Sequence, residues 1–217
     1  MRDEREATRL MVVLEPGDGA RERLMAAVQA ASIACVMLKP DAGGSDRASE
    51  ASQLLKIARG AGAICLIVDD ADLARTLAAD GVHLSTGGDT EVRYASARAA
   101  LSAHGSVGVD AGGSRHVAMS VGEVGADYIA FGPVSSIGDT RSGTETRHDQ
   151  IAWWAEVFEL PCVAMDVASP GDARDLALAG ADFVAVTLAA GRSPAWVAET
   201  IRDVAAALGE AVLMRPE

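Results

Sequence analysis

Short apolar runs in this chain end repeatedly on a side chain that can do chemistry. Lys39 and Asp41 follow CVML, Asp69 and Asp70 follow ICLIV, Ser85 follows GVHL, Asp110 follows SVGV, Asp166 follows CVAM, and Thr187 follows FVAV. Glu15 ends the first such run, and His83 lies inside the fourth. A carboxylate so placed can help to hold a divalent cation, but several carboxylates together oppose a phosphate unless cations lie among them. Plainer readings stay open beside these. Asp70 or Asp72 can cap a following helix with Asp69 a solvated loop residue, His83 can be a satisfied core imidazole, and Lys39 can be a surface lysine before Pro40.

The elements that must position these residues alternate along the whole chain. Strands are expected over 10–14, 34–38, 64–68, 81–84, 107–109, 128–131, 162–165 and 183–186, and Ala-rich helices near 21–31, 47–59, 72–79, 91–101, 115–124, 149–158, 171–179 and 194–208. Ser114, Ser169 with Pro170, and Ser193 with Pro194 are helix start signals. The phrases ADGVHL, GADYIAF and GADFVAV repeat one junction, in which a helix closes on a small residue and a strand opens. Eight βα units with a recurring junction predict a single-domain (β/α)8 TIM barrel over 10–209, with a charged tail over 1–9 and a C-terminal tail over 210–217. An open doubly wound sheet usually has fewer strands. In such a barrel chemistry sits where strands end, so the residues above form the candidate mouth. Alternation groups Met37, Lys39 and Asp41 in the second strand, Cys65, Ile67 and Asp69 in the third, and Gly81, His83 and Ser85 in the fourth as the sets expected to face it.

Composition narrows the function classes. With 31 acidic against 19 basic residues the net charge is −12, which argues against nucleic-acid and anionic-membrane partners. No apolar run approaches the roughly 20 residues of a membrane span, and MRDEREATRL is charged where a signal peptide is apolar, so a cytoplasmic location is expected. Cys35, Cys65 and Cys162 sit in apolar runs as free thiols of a packed core. Gly43-Gly44 and Gly87-Gly88 lack a full phosphate-loop pattern and read as turns. Trp153 and Trp154 have helical spacing and are expected on the barrel exterior or a subunit contact.

The phrases CVMLKPD, LIVDDADLARTLAADGVHLS, GADYIAFGPV, PCVAM and GADFVAV, in this order and spacing, resemble thiamine phosphate synthase and its thiazole tautomerase relatives over almost the whole chain. The resemblance implies a (β/α)8 barrel and a transferase reaction in which a hydroxyethylthiazole phosphate displaces pyrophosphate, with Mg2+, from a pyrimidine diphosphate. It implies Lys39 and His83 as catalytic residues and Asp69 with Asp89 as metal ligands, Asp89 standing one residue late in the motif. Met37 and Asp41 occupy the other positions of the second-strand motif. Asp110 stands where the family has serine, and Met165-Asp166-Val167 replaces a Gly-Gly that holds a phosphate. Thr140 and Arg141, in a long segment between Gly132 and Arg147, replace part of a phosphate loop; that segment is either a lid over an anion or a loop without a ligand.

Two functions follow from this pattern. One is a divergent synthase that uses Lys39, His83 and Arg141 for catalysis and Met37, Asp41, Asp110, Thr140, Asp166 and Thr187 for substrate binding. The other is a binding protein or altered enzyme on the same barrel for a less anionic, thiamine-related ligand. In both the partner is a small molecule, and oligomeric relatives make a homodimer the expected assembly.

Overall fold

Apolar runs of three to six residues can be buried on both faces when they pair in parallel and helices cover the outside. That is the arrangement of this chain, for which a computed structural model describes residues 7–41, 47–101, 105–132 and 146–214. Eight strands, β1 (Arg9–Leu14), β2 (Cys35–Leu38), β3 (Ile64–Val68), β4 (Gly81–Leu84), β5 (Ser106–Asp110), β6 (Tyr128–Phe131), β7 (Cys162–Ala164) and β8 (Phe183–Leu188), pair in sequence order and close into a barrel. The helices α1 (Ala20–Ala30), α2 (Arg47–Gly60), α3 (Ala71–Thr76), α4 (Thr90–Leu101), α5 (Arg115–Glu123), α6 (Arg147–Val157), α7 (Pro170–Ala179) and α8 (Pro194–Met214) each follow one strand. Closure is made by β1 against β8, in register from Arg9 with Phe183 to Leu14 with Leu188. The last helix runs to Met214, into the segment expected to be a tail. Among the described residues no helix is long and apolar enough to cross a membrane.

The predicted start signals act as caps. Ser114 accepts from the Val117 amide at 3.2 Å, Ser169 from Asp172 at 3.1 Å with Pro170 opening the helix, and Ser193 from Trp196 at 3.2 Å. Helix α6 begins two residues before the expected position because Thr146 and Asp149 form a reciprocal capping box.

Alternation divides the strand residues between two cores. Met11, Cys35, Met37, Leu66, Val68, Tyr128, Ala130, Val163, Met165 and Ala185 fill the barrel, while Val12, Val36, Ile67, Val109, Phe131 and Val184 join the layer under the helices. The second and fourth strands follow the expected parity. The third does not: Cys65 and Ile67 belong to the outer layer, and Leu66 and Val68 point inward. Both faces of ICLIV are apolar, so its sequence carries no mark of which face is which. Trp154 is fully buried in the outer layer, edge-on to Phe131 and stacked on Phe158 with centroids 4.1 Å apart, and its Nε1 donates to the Leu160 carbonyl at 2.8 Å. The three cysteines are free and buried, and burial raises the Cys65 thiol to about 11 and the Cys35 thiol further.

The repeated junction has one physical role. Its aspartate precedes a strand and accepts from a backbone amide near the start of the strand before: Asp80 from Cys65 at 2.8 Å, Asp127 from Val107 at 2.7 Å, and Asp182 from Cys162 at 2.8 Å. Three neighbouring strand pairs are thus pinned at the barrel end opposite the candidate mouth. Asp127 also holds Arg98 at 2.5 Å. Replacing Asp127 by Ala leaves the Val107 amide without this acceptor and should cost about 1–3 kcal/mol of stability in a denaturant titration, with ligand binding at the far end unchanged.

Candidate active site

The floor of the mouth is a neutral aromatic pair. His83, on the inward face of β4, is fully buried, and its Nδ1 lies 2.8 Å from the Tyr128 hydroxyl with the two rings nearly parallel. Gly108 on β5 makes room for this pair: a Cβ there would stand 1.9 Å from Cζ of Tyr128. Burial lowers the His83 imidazole to about 4; the nearby Asp69 carboxylate acts in the opposite sense, and the Arg93 guanidinium lowers it further. Burial likewise holds the Tyr128 hydroxyl well above its usual value. The pair can exchange hydrogen bonds with a ligand or with each other as neutral groups.

Above this floor Asp69 reaches the mouth by a backbone reversal instead of strand alternation. Its φ is 57°, the left-handed region that Asp tolerates better than most residues, and its amide donates to the His83 carbonyl at 2.9 Å. The turn aims the carboxylate at the end of β4. Oδ1 accepts from the Ser85 amide at 2.8 Å and from Arg93 Nη2 at 2.6 Å, and Oδ2 accepts from the Ser85 hydroxyl. Arg93 also donates through Nη1 to the Ser85 and Gly87 carbonyls, both at 2.6 Å. Asp70 caps α3, taking the Leu73 amide at 2.8 Å, and pairs with Arg47.

Two further carboxylates stand at the ends of β5 and β7. Asp110, at the end of β5, accepts from the Gly112 amide at 2.8 Å and from the Thr86 side chain. Its carboxyl is raised above the usual range, chiefly by burial; the Asp166 carboxylate adds to this, and the hydrogen bonds from Gly112, Thr86 and Gly132 work against it. Asp166 also has positive φ, 53°, and accepts from the Thr187 hydroxyl at 2.7 Å. Arg147, in the first turn of α6, reaches the end of β7, donating to the Met165 carbonyl, to the Asp166 carbonyl at 3.1 Å and to Asp172 at 2.6 Å. Beside Asp166 and Thr187 a cleft of about 270 Å³ opens toward Trp196 and Asp203 of α8.

The expected site residues divide accordingly. His83, Asp69, Asp110, Asp166 and Thr187 are brought to one end of the barrel, where the Asp166 carboxylate acts on Asp110. Lys39 and Asp41 are exposed on the rim beside Arg47 and Glu50. Met37 is fully buried in the barrel interior, under the mouth. Asp89 is exposed and caps α4, accepting from the Val92 amide at 3.1 Å. Thr140 and Arg141 lie outside the described residues. Sequence reasoning missed Arg93, Tyr128, Arg147 and Thr86. Arg93 stands 24 positions from Asp69, and only the packing of β3, β4 and α4 brings them together.

Magnesium at Asp69 and Asp89 is a poor match to these donors. Both Asp69 oxygens are occupied by Arg93 and Ser85, and Asp89 is engaged at a helix end. Among the described residues no group of three or more His, Cys, Asp or Glu side chains is arranged to hold a metal ion.

Residues 10–190 match the family model described as thiamine monophosphate synthase. The chain is 36% identical to the thiamine-phosphate synthase of Rhodospirillum centenum, over 83% of this chain and 86% of that one. It is 35% identical to the thiamine-phosphate synthase of Hyphomonas neptunium, over 84% and 86%. Among solved structures it resembles the thiamine phosphate pyrophosphorylase of Pyrococcus furiosus, with a TM-score of 0.73 at 21% identity over 94% of this chain and 96% of that one. A 3-hexulose-6-phosphate synthase shares the fold with a TM-score of 0.64 at 18% identity, over 92% and 99%.

The buried imidazole gives stability a signed pH dependence. The unfolded state takes up the His83 proton below about 6.5, whereas the native state resists it down to about 4, so stability falls as pH drops through that interval. The raised Asp110 carboxyl works the other way, since its native state holds a proton more readily than the unfolded one. Substituting His83→Gln should remove about 2 kcal/mol of the stability difference between pH 7 and pH 5, read from urea titrations at both values.

Proposed function

Because the chain belongs to the thiamine monophosphate synthase family, we propose that it joins a hydroxyethylthiazole phosphate to a pyrimidine diphosphate with release of pyrophosphate, in thiamine biosynthesis. The observation that carries this reading is the family match over 10–190, which spans all eight strands and therefore every described mouth residue at a strand end. In this reading the substrates are small molecules, the enzyme is a cytoplasmic homodimer, and the two ring systems meet over the His83–Tyr128 floor.

The chain's own groups divide the work by charge. Departing pyrophosphate gains negative charge, which Lys39 and Arg147 offset from the rim, joined by Arg141 and the Thr140 hydroxyl from the segment between β6 and α6. Asp110, with its raised proton affinity, holds ring N–H groups or carries a proton itself, and Asp166 with Thr187 bounds the same wall. Neutral His83 keeps the floor uncharged and orients the substrate through its hydrogen bond to Tyr128. The magnesium that the resemblance implies would supply positive charge to the pyrophosphate. Asp69 and Asp89 stand at the positions the resemblance implies for it, and the donors around Asp69 do not fit it.

The Asp110–Asp166 wall favours one second reading, a binding protein for a less anionic ligand such as thiamine. Thiamine phosphate formation from both precursors in the presence of Mg2+, above background and beside an active control, is the expected result. Absence of turnover, together with thermal stabilisation by thiamine but not by pyrophosphate, would establish the second reading instead.

Asp166 generates a further expectation. Its positive φ suits glycine, and its carboxylate opposes a phosphate. Asp166→Gly should therefore keep the fold and tighten binding of inorganic pyrophosphate about tenfold, or 1.4 kcal/mol, in calorimetry. Unchanged affinity in the folded variant would show that this carboxylate does not set the anion affinity of the mouth.

A further inference from the structure

We propose that Arg93 is a resident cation: its guanidinium holds the place at Asp69 that a divalent metal would take, so that the mouth engages anionic ligand oxygens without a metal ion. The inference rests on the reading of the mouth as a pyrophosphate-releasing site.

The first observation is the occupancy of Asp69. Its Oδ1 receives a charge-assisted hydrogen bond from Arg93 at 2.6 Å and the Ser85 amide at 2.8 Å, and its Oδ2 receives the Ser85 hydroxyl. A metal ion bound at Oδ1 would have to displace the guanidinium, and one bound at Oδ2 would share the carboxylate with it. The ion would then leave Arg93 beside it as a like charge, still tied to the Ser85 and Gly87 carbonyls.

The second observation is how firmly Arg93 is fixed. It is carried on the first turn of α4, its side chain is 30% exposed, and its hydrogen bonds to the Ser85 and Gly87 carbonyls together with the Asp69 pairing set one rotamer. A guanidinium has five N–H donors, and the bonds to Ser85, Gly87 and Asp69 use three. Among the described residues the remaining two have no acceptor, and they are donors of the kind that pair with phosphate oxygens.

The third observation is where the pair stands. The Asp69 amide donates to the His83 carbonyl at 2.9 Å, its carboxylate accepts from the Ser85 amide, and Arg93 donates to the Ser85 carbonyl at 2.6 Å, so the pair is tied to the mouth end of β4, within two residues of His83. Asp89, the other carboxylate considered for a metal, is one turn away at the start of the same helix and accepts from the Val92 amide. Magnesium with two carboxylates and Arg93 with Asp69 are both electrically balanced sets. The second is built from the chain alone and loses no dehydration energy of a hard cation.

The test uses the full chain and two probes that do not depend on turnover. Mn2+ titration followed by electron paramagnetic resonance should show no effect of Asp69→Asn on the wild-type background. Arg93→Gln should gain Mn2+ affinity at least tenfold, and Arg93→Gln with Asp69→Asn should lose that gain. In parallel, calorimetry with inorganic pyrophosphate in EDTA should show binding that Arg93→Gln weakens at least tenfold and Arg93→Lys partly restores. Wild-type Mn2+ binding that falls tenfold with Asp69→Asn would overturn the proposal, as would unchanged pyrophosphate affinity in Arg93→Gln. Should the Arg93 variants not fold, the unaltered protein still decides: pyrophosphate binding that strengthens tenfold or more on adding Mg2+ refutes the proposal, and equal binding in EDTA supports it. Failure to form thiamine phosphate under any condition would remove the assigned reaction without altering either binding readout.

Discussion

Closure of the sheet through the β1–β8 ladder is the constraint on which the site depends. The ladder runs over six residue pairs, the longest in the barrel, and it brings the end of the chain's last strand beside the first. It closes the ring that sets Asp166 and Thr187, carried by β7 and β8, across the mouth from Asp69 at the end of β3. Closure also encloses an interior that side chains must fill. Methionines, Leu66 and Val68 fill much of it, and the polar exceptions, His83 and Tyr128, satisfy one another.

Where strands end, the backbone itself directs two of the carboxylates. Asp69 and Asp166 both turn into the left-handed region just after β3 and β7, at a conformational cost of order 1 kcal/mol each. Each turn is compensated by hydrogen bonds to the next strand: Asp69 to Ser85, and Asp166 to Thr187. The same device at two strand ends gives the mouth carboxylates that alternation alone would have sent toward the helices.

The mouth is consequently less negative in effect than its composition suggests. Asp69 is matched by Arg93, Asp70 by Arg47, and the Asp166 backbone by Arg147, while Asp110 shifts toward its neutral form. The imidazole beneath them is neutral because burial outweighs the attraction of Asp69. Charge is thus distributed as fixed pairs around a neutral floor, and the cations at Lys39 and Arg93 stand at its edge.

The amino-acid sequence determined the eight alternating units, three serine caps and the strand-end candidates, because apolar period, Ser caps and small-residue junctions are local signals. It also carried the family resemblance in contiguous phrases, from CVMLKPD to GADFVAV. It did not determine the parity of β3, since both faces of that strand are buried and apolar. Nor did it reveal Arg93, Tyr128 or Arg147, whose partners lie 24, 45 and 18 or more positions away. Those pairings exist because parallel strands joined by helices set residues distant in the chain side by side at one end of the barrel. Only the tertiary structure, through closure and the left-handed turns at Asp69 and Asp166, decided which charges meet.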